Sequence, residues 1–151
     1  MQFDLITEWR FDQPIARVWK YLHEVRHWPE WWSSVLLVEQ IKDGDDAGVG
    51  AVNRFVWKTA LPYRITFNMR VARVEPMNLI EAWSVGDLDG RGLWNLREAA
   101  GVTHVCYRWT VDVKKPWMQA LAPLLRPVFA WNHNRVMERG RVGLASALAR
   151  M

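Results

Sequence analysis

From Phe3 to Phe11 the chain alternates, with Phe3, Leu5, Thr7, Trp9 and Phe11 on one side and Asp4, Glu8 and Arg10 on the other, which predicts a half-buried strand. Asp12 as N-cap and Pro14 in the first turn predict a helix carrying Ile15, Val18, Trp19 and Leu22 inward and ending before Pro29. A second short helical piece holding Trp28, Trp31 and Trp32 follows, and the chain extends again from Val35 to Ile41. Lys42 to Gly50, with Gly44, Asp45, Asp46 and Gly48, reads as a turn. Beyond it Asn53, Phe55 and Trp57 alternate with Arg54 and Lys58. After Pro62, Tyr63, Ile65, Phe67, Met69 and Val71 alternate with Arg64, Thr66, Asn68 and Arg70. These strands have one dry face and one wet face. Leu79 to Val85 is a further strand whose facing stays open, because Ile80 and Ala82 compete with Leu79, Trp83 and Val85. Asp89-Gly90 predicts a hairpin turn leading into Leu93 to Arg97. Ala100-Gly101 opens the last strand, where Val105, Tyr107, Trp109 and Val111 oppose His104, Arg108 and Asp112.

At Pro116 the period changes from two to that of a helix. Met118, Ala122, Leu125, Phe129, Val136, Gly140, Leu144, Ala147 and Leu148 share one face, while Arg126, Asn134, Arg135, Glu138, Arg139 and Arg141 fall mostly elsewhere. An apolar stripe of that length needs a partner of similar length, and the preceding strands supply one. Pro123 and Pro127 predict a break or kink between Leu121 and Arg126. Gly140 and Gly143 each cost a helix about 1 kcal/mol relative to alanine, which implies close approach of a neighbour or room beneath the helix. The order is strand, two short helices, six further strands and one long helix, an antiparallel α+β domain.

Composition narrows the picture. A chain of 151 residues, half of them hydrophobic, has room for one core and is expected to be a single domain. No apolar run approaches the ~20 residues of a membrane-spanning helix, and the first residues lack a secretory pattern. With the single cysteine, Cys106, which allows no internal disulfide, this predicts a cytoplasmic protein, transient membrane contact being left open. The net charge of +4 comes from dispersed basic residues, so no nucleic-acid footprint is expected. Eleven tryptophans are the anomaly. Each indole buries ~150–250 Å² and needs a partner for its N–H, so this many flat, rigid side chains point to the wall of a cavity or to a gap filled solid by indoles.

Candidate chemistry is sparse. His23-Glu24-Val25-Arg26-His27 matches H-E-x-x-H, but Trp28-Pro29 follows at once and no third ligand stands out, so a surface turn is the expectation and no metal is expected. Asp43 to Asp46 and Asp87 to Asp89 lack the closing glutamate of a calcium loop and read as turns. His104 and Cys106 share a wet strand face without a visible third partner, which makes a cysteine nucleophile unexpected. Asn132 and His133 interrupt the apolar face of the long helix near its middle, and His133, one turn from Phe129 and from Met137, should point at the sheet. There it either orients a ligand or transfers a proton, or it bonds a strand backbone or a side chain such as Asn95.

Taken together, Val18-Trp19, Trp28-Pro29-Glu30-Trp31-Trp32, Leu61-Pro62-Tyr63, Gly90-Arg91-Gly92-Leu93-Trp94 and Tyr107-Arg108-Trp109, in this order over the whole chain, resemble the START/Bet v 1-like (SRPBCC) superfamily, and within it the bacterial polyketide cyclase/dehydrase-like group. The resemblance implies a helix-grip fold: a seven-stranded antiparallel sheet curved around the long C-terminal helix, with a hydrophobic cavity between them. It implies an apolar small-molecule ligand of lipid, polyketide or aromatic type, no cofactor, and no universal catalytic motif. The expected ligand-binding residues are Trp57, Tyr63, Phe67, Met69, Trp94, Tyr107, Trp109, Leu125, Phe129, His133 and Met137, with Trp28 and Trp32 near the mouth. The alternatives are a cyclase or dehydratase using the same cavity with His133 as acid or base, and a protein-interaction module with a solid interior and an exposed apolar patch.

Overall fold

A computed structural model describes residues 2–150. Seven strands, β1 (Gln2–Phe11), β2 (Val35–Lys42), β3 (Val52–Lys58), β4 (Arg64–Glu75), β5 (Leu79–Gly86), β6 (Leu88–Ala99) and β7 (Val102–Val113), form one antiparallel sheet in the order β1-β7-β6-β5-β4-β3-β2. Helix α1 (Ile15–His23) and a 3-10 segment (Val25–Glu30) carry the chain from one sheet edge to the other, and helix α2 (Pro116–Ala149) closes the fold. This is the helix-grip architecture. Strand parity follows the alternation in the sequence: Phe3, Trp9 and Phe11 of β1, Phe55 of β3, Ile65 and Phe67 of β4, and Val105, Trp109 and Val111 of β7 are buried on the concave side. The strand of undecided facing turns Ile80, Ala82 and Ser84 inward and leaves Trp83 and Val85 exposed.

Four local expectations need correction. Pro14 rather than Asp12 precedes α1, which has no side-chain cap; instead the Ile15 N–H donates to a Glu98 carboxylate oxygen at 2.8 Å. The 3-10 segment holds Trp28 but ends at Glu30, so Trp31 and Trp32 follow it rather than belong to it. Asp89 and Gly90 lie inside β6, and the β5–β6 turn is at Gly86-Asp87, where the Asp89 carboxylate accepts the Gly86 N–H at 2.9 Å. Gly90 serves strand approach, since a Cβ there would lie 2.0 Å from the Thr110 carbonyl oxygen. The mirror-image hairpin is the next one, where Ala100 and Gly101 have φ of 53° and 78°. Finally, of the break or kink expected between Leu121 and Arg126, the break is absent: Pro123 and Pro127 lie inside one continuous helix. Both prolines are exposed, so the carbonyls they leave without an amide partner face water rather than the core.

The expected buried stripe of α2 is present except at Leu125, which is only half-buried. Its two glycines accommodate neighbours, but those neighbours are the residues after the 3-10 segment rather than the sheet. A Cβ on Gly143 would lie 1.7 Å from the Trp31 carbonyl oxygen, and one on Gly140 would lie 2.5 Å from the Trp32 ring. The Trp32 indole N–H donates to the Val136 carbonyl at 2.9 Å, and the Arg17 guanidinium to the Leu148 carbonyl at 2.7 Å. No helix among the described residues is long and apolar enough to cross a membrane.

Candidate functional site

Between the concave face and α2, along the stretch from Met118 to Met137, lies a cavity of about 120 Å³. Strand parity delivers Trp57, Phe67, Trp94, Tyr107 and Trp109 to its floor, and α2 lowers Phe129, His133 and Met137 onto it. The floor is a continuous aromatic surface. Trp94 stacks on Tyr107 at 4.1 Å between ring centroids, Tyr107 lies 6.0 Å from Trp109, and Trp109 lies 5.7 Å from Phe67. Each such pair adds about 0.5–1.5 kcal/mol beyond its area, so the wall is stiff as well as apolar.

Polar groups gather at one side, where the connection from β3 to β4 meets α2. The Asn132 side chain accepts the Ala60 N–H at 2.7 Å and donates to the Tyr63 hydroxyl at 3.2 Å. The Thr59 hydroxyl donates to the carbonyls of Leu61 and Tyr63 at 3.0 and 3.1 Å. Of the two polar residues that interrupt the apolar stripe, Asn132 is therefore structural: it ties the β3–β4 connection to the helix. His133 is different. Its nearest partner is the Thr7 hydroxyl on β1, 3.4 Å from Nε2, and Asn95, the partner considered from sequence, is exposed on the opposite face of the sheet. Burial lowers the His133 pKa from 6.5 to about 4. The ring is thus neutral near pH 7, able to donate from one nitrogen and accept at the other. Burial also raises the Tyr63 and Tyr107 pKa values, which keeps both phenols protonated.

Trp28, Trp32, Trp57, Tyr63, Phe67, Trp94, Tyr107, Trp109, Phe129, His133 and Met137 all border this cavity. Met69 does not, because it lies farther along β4 and lines a neighbouring hollow, and Leu125 packs half-buried beside the core without reaching the space. Trp28 and Trp32, expected at the mouth, are 5% and 1% exposed and form an inner wall. Among the cavity residues that sequence reasoning passed over are Phe3, Leu5, Thr59, Leu88, Val113 and Met118. The parity of β1 and the helical stripe signalled Phe3, Leu5 and Met118, which lie on faces already assigned to the core, whereas Thr59, Leu88 and Val113 carried no such signal.

The weaker motifs stay apart. Helix α1 ends at His23, so His23 and His27 do not share a helix: His23 stacks on Trp19 and lies 3.1 Å from the Ala47 carbonyl, while His27 pairs with Glu30. No three His, Cys, Asp or Glu side chains gather as a metal site among the described residues. Burial and the nearby Glu8 raise the Cys106 pKa, which disfavours a thiolate. The outward face of α2 carries an exposed apolar stripe of Trp117, Leu121, Leu124, Val128 and Trp131.

The model of the family described as polyketide cyclase/dehydrase and lipid transport matches residues 6–149. No curated protein sequence matches at a significant level. Among solved structures, the chain is similar to the Zhui aromatase/cyclase from Streptomyces sp. R1128, with a TM-score of 0.80, 15% identity and coverage of 99% of this chain and 95% of that one. It is also similar to a START superfamily protein from Mycobacterium smegmatis, with a TM-score of 0.79, 10% identity and 97% of each chain covered. A third, TTHA0849 from Thermus thermophilus, gives a TM-score of 0.77 at 16% identity, covering 96% of this chain and 99% of that one. At these identities the likeness establishes the fold alone.

Proposed function

The chain belongs to the polyketide cyclase/dehydrase and lipid transport family, of START/Bet v 1-like fold, and on that premise we propose that it binds an apolar, ring-bearing small molecule in the cavity beneath α2. The observation that carries this reading is an interior left open where a chain so rich in tryptophan could have filled it: an aromatic floor, an apolar roof and one neutral imidazole. Burial of ligand surface at ~25 cal/mol per Å² supplies affinity, and His133 fixes the orientation of a hydroxyl or carbonyl. An interaction module with a solid interior fits less well, because the interior is hollow.

Catalysis of the cyclase or dehydratase kind is the second reading, supported by the family and by the place of His133 against the cavity. A histidine with a pKa near 4 and no carboxylate partner among the described residues is a weak base, which favours binding over proton abstraction. The test is calorimetric titration with p-cresol, a one-ring probe with a hydroxyl. Binding is expected in the unaltered chain, weakened in His133→Ala, and abolished in Leu5→Trp, which fills the cavity from β1. Unchanged affinity in Leu5→Trp would place the ligand elsewhere.

A further inference from the structure

Past Trp28 the concave face continues into a second hollow of about 590 Å³, floored by Phe55, Met69, Val71, Val74, Ile80 and Ala82 and rimmed by the β2–β3 connection and the 3-10 segment. Trp28, Trp57, Phe67, Trp94 and Tyr107 border both spaces. The two are one concavity of the sheet, divided where the Trp28 indole reaches down between Trp57 and Trp94, at 6.3 and 5.9 Å between ring centroids.

Size, polarity and the mounting of the divider bear on what fills this concavity. An apolar cavity of about 150 Å³ accepts benzene, so the 120 Å³ space beneath α2 holds roughly one ring. Pockets for whole small molecules run to about 300–1,000 Å³, the range of the second hollow. Asn53, 5% exposed, borders that hollow, and among the described residues its Oδ1 has no hydrogen-bond partner; the Trp57 indole N–H on the dividing wall has none there either. Buried polar groups left unpaired are costly, and a ligand hydroxyl or amide relieves that cost. The divider hangs on a 3-10 segment, whose hydrogen bonds are poorer than those of an α-helix; its indole makes one hydrogen bond, to the Tyr21 carbonyl at 3.1 Å, and is otherwise held by non-directional ring contacts with Trp31, Trp32, Phe55, Trp57 and Trp94.

We propose that Trp28 divides a single binding site into two compartments, and that the ligand is a fused-ring or long-chain apolar molecule with a hydroxyl or amide end. One ring's worth lies beneath α2, and the remainder, with its polar end toward Asn53, fills the second hollow once the Trp28 indole turns aside. This rests on the binding reading above and adds the size and polarity of the ligand.

The test uses the full chain with two probes, p-cresol and the four-ring hydroxypyrene. Hydroxypyrene is expected to bind. Val71→Trp and Ala82→Phe, each narrowing the hollow from its floor and each checked for folding by circular dichroism, are expected to weaken hydroxypyrene about tenfold or more while p-cresol changes by less than about twofold. Asn53→Leu should remove the preference for hydroxypyrene over pyrene. If p-cresol binds and hydroxypyrene does not, or if hydroxypyrene is indifferent to both floor substitutions, the two-compartment site is overturned and the one-ring site stands. If neither probe binds, the binding reading fails and this inference falls with it.

Discussion

Between Val136 and Leu148, α2 buries Val136, Met137, Gly140, Leu144, Ala147 and Leu148, and its glycines admit Trp31 and Trp32 into near contact with its backbone. Between Trp117 and Trp131 the same helix buries only Met118, Ala122 and Phe129, carries two prolines, and leaves an apolar stripe exposed above a cavity. Both halves are equally helical, so propensity does not separate them. Packing does: the stretch from Gly140 on anchors the fold, and the stretch before it, through Met118, Phe129, His133 and Met137, roofs a space it does not fill. A helix fixed at one end can hold a ligand cavity open at the other, because the stability the cavity forgoes is supplied by the anchored half.

The comparison breaks most sharply at Gly143. Alanine is the better helix former by about 1 kcal/mol, yet a Cβ here meets the Trp31 backbone, so Gly143→Ala is expected to destabilise by about 3 kcal/mol or more in urea unfolding. An increase in stability would mean that the anchored half is not close-packed.

Acid should act next, at the boundary between the halves. The pKa of His133 is 6.5 when unfolded and about 4 in the fold, so below pH 6.5 the unfolded chain binds a proton that the folded chain refuses. The contribution of His133 is therefore fully present above pH 6.5 and lost progressively as pH falls toward 4, up to about 3 kcal/mol in all. His133→Leu should remove this part of the pH dependence, which unfolding curves at pH 4.5 and 7 will show.

Asn132→Ala comes third. It leaves the Ala60 N–H without its acceptor and releases Tyr63, for an expected loss of about 1–3 kcal/mol, with hydrogen exchange rising at Ala60 before the chain unfolds globally. The smallest effect belongs to the exposed stripe. Leu124, 80% exposed, is expected to change stability by less than about 0.5 kcal/mol when replaced by serine.

Much of this was legible in the sequence because the sheet is dry on one side and wet on the other. Period-two alternation assigned Phe55, Phe67, Tyr107 and Trp109 to one face without any knowledge of pairing. Where a residue type has two uses, the sequence misled. Gly90 resembles a turn glycine but is one that lets strands approach, and Pro123 and Pro127, which read as helix breakers, sit at exposed positions inside one continuous helix. Asn132 stood out as a polar interruption, but its partner, the Ala60 N–H, depends on where the β3–β4 connection lands. The division of the concavity was not legible at all. It depends on the path of a short 3-10 segment, which has no periodic signal, and on the direction in which it sends Trp28.

The eleven tryptophans provide a direct test, since each indole N–H gives its own proton–nitrogen correlation. Titration of nitrogen-15-labelled protein with p-cresol is expected to shift the signals of Trp28, Trp32, Trp57, Trp94 and Trp109, which border the cavity, and to leave Trp83, Trp117 and Trp131 unmoved. Trp57, whose N–H has no hydrogen-bond partner among the described residues, should shift most. Shifts confined to the exposed indoles, or none at all at saturating probe, would contradict a ligand cavity beneath α2.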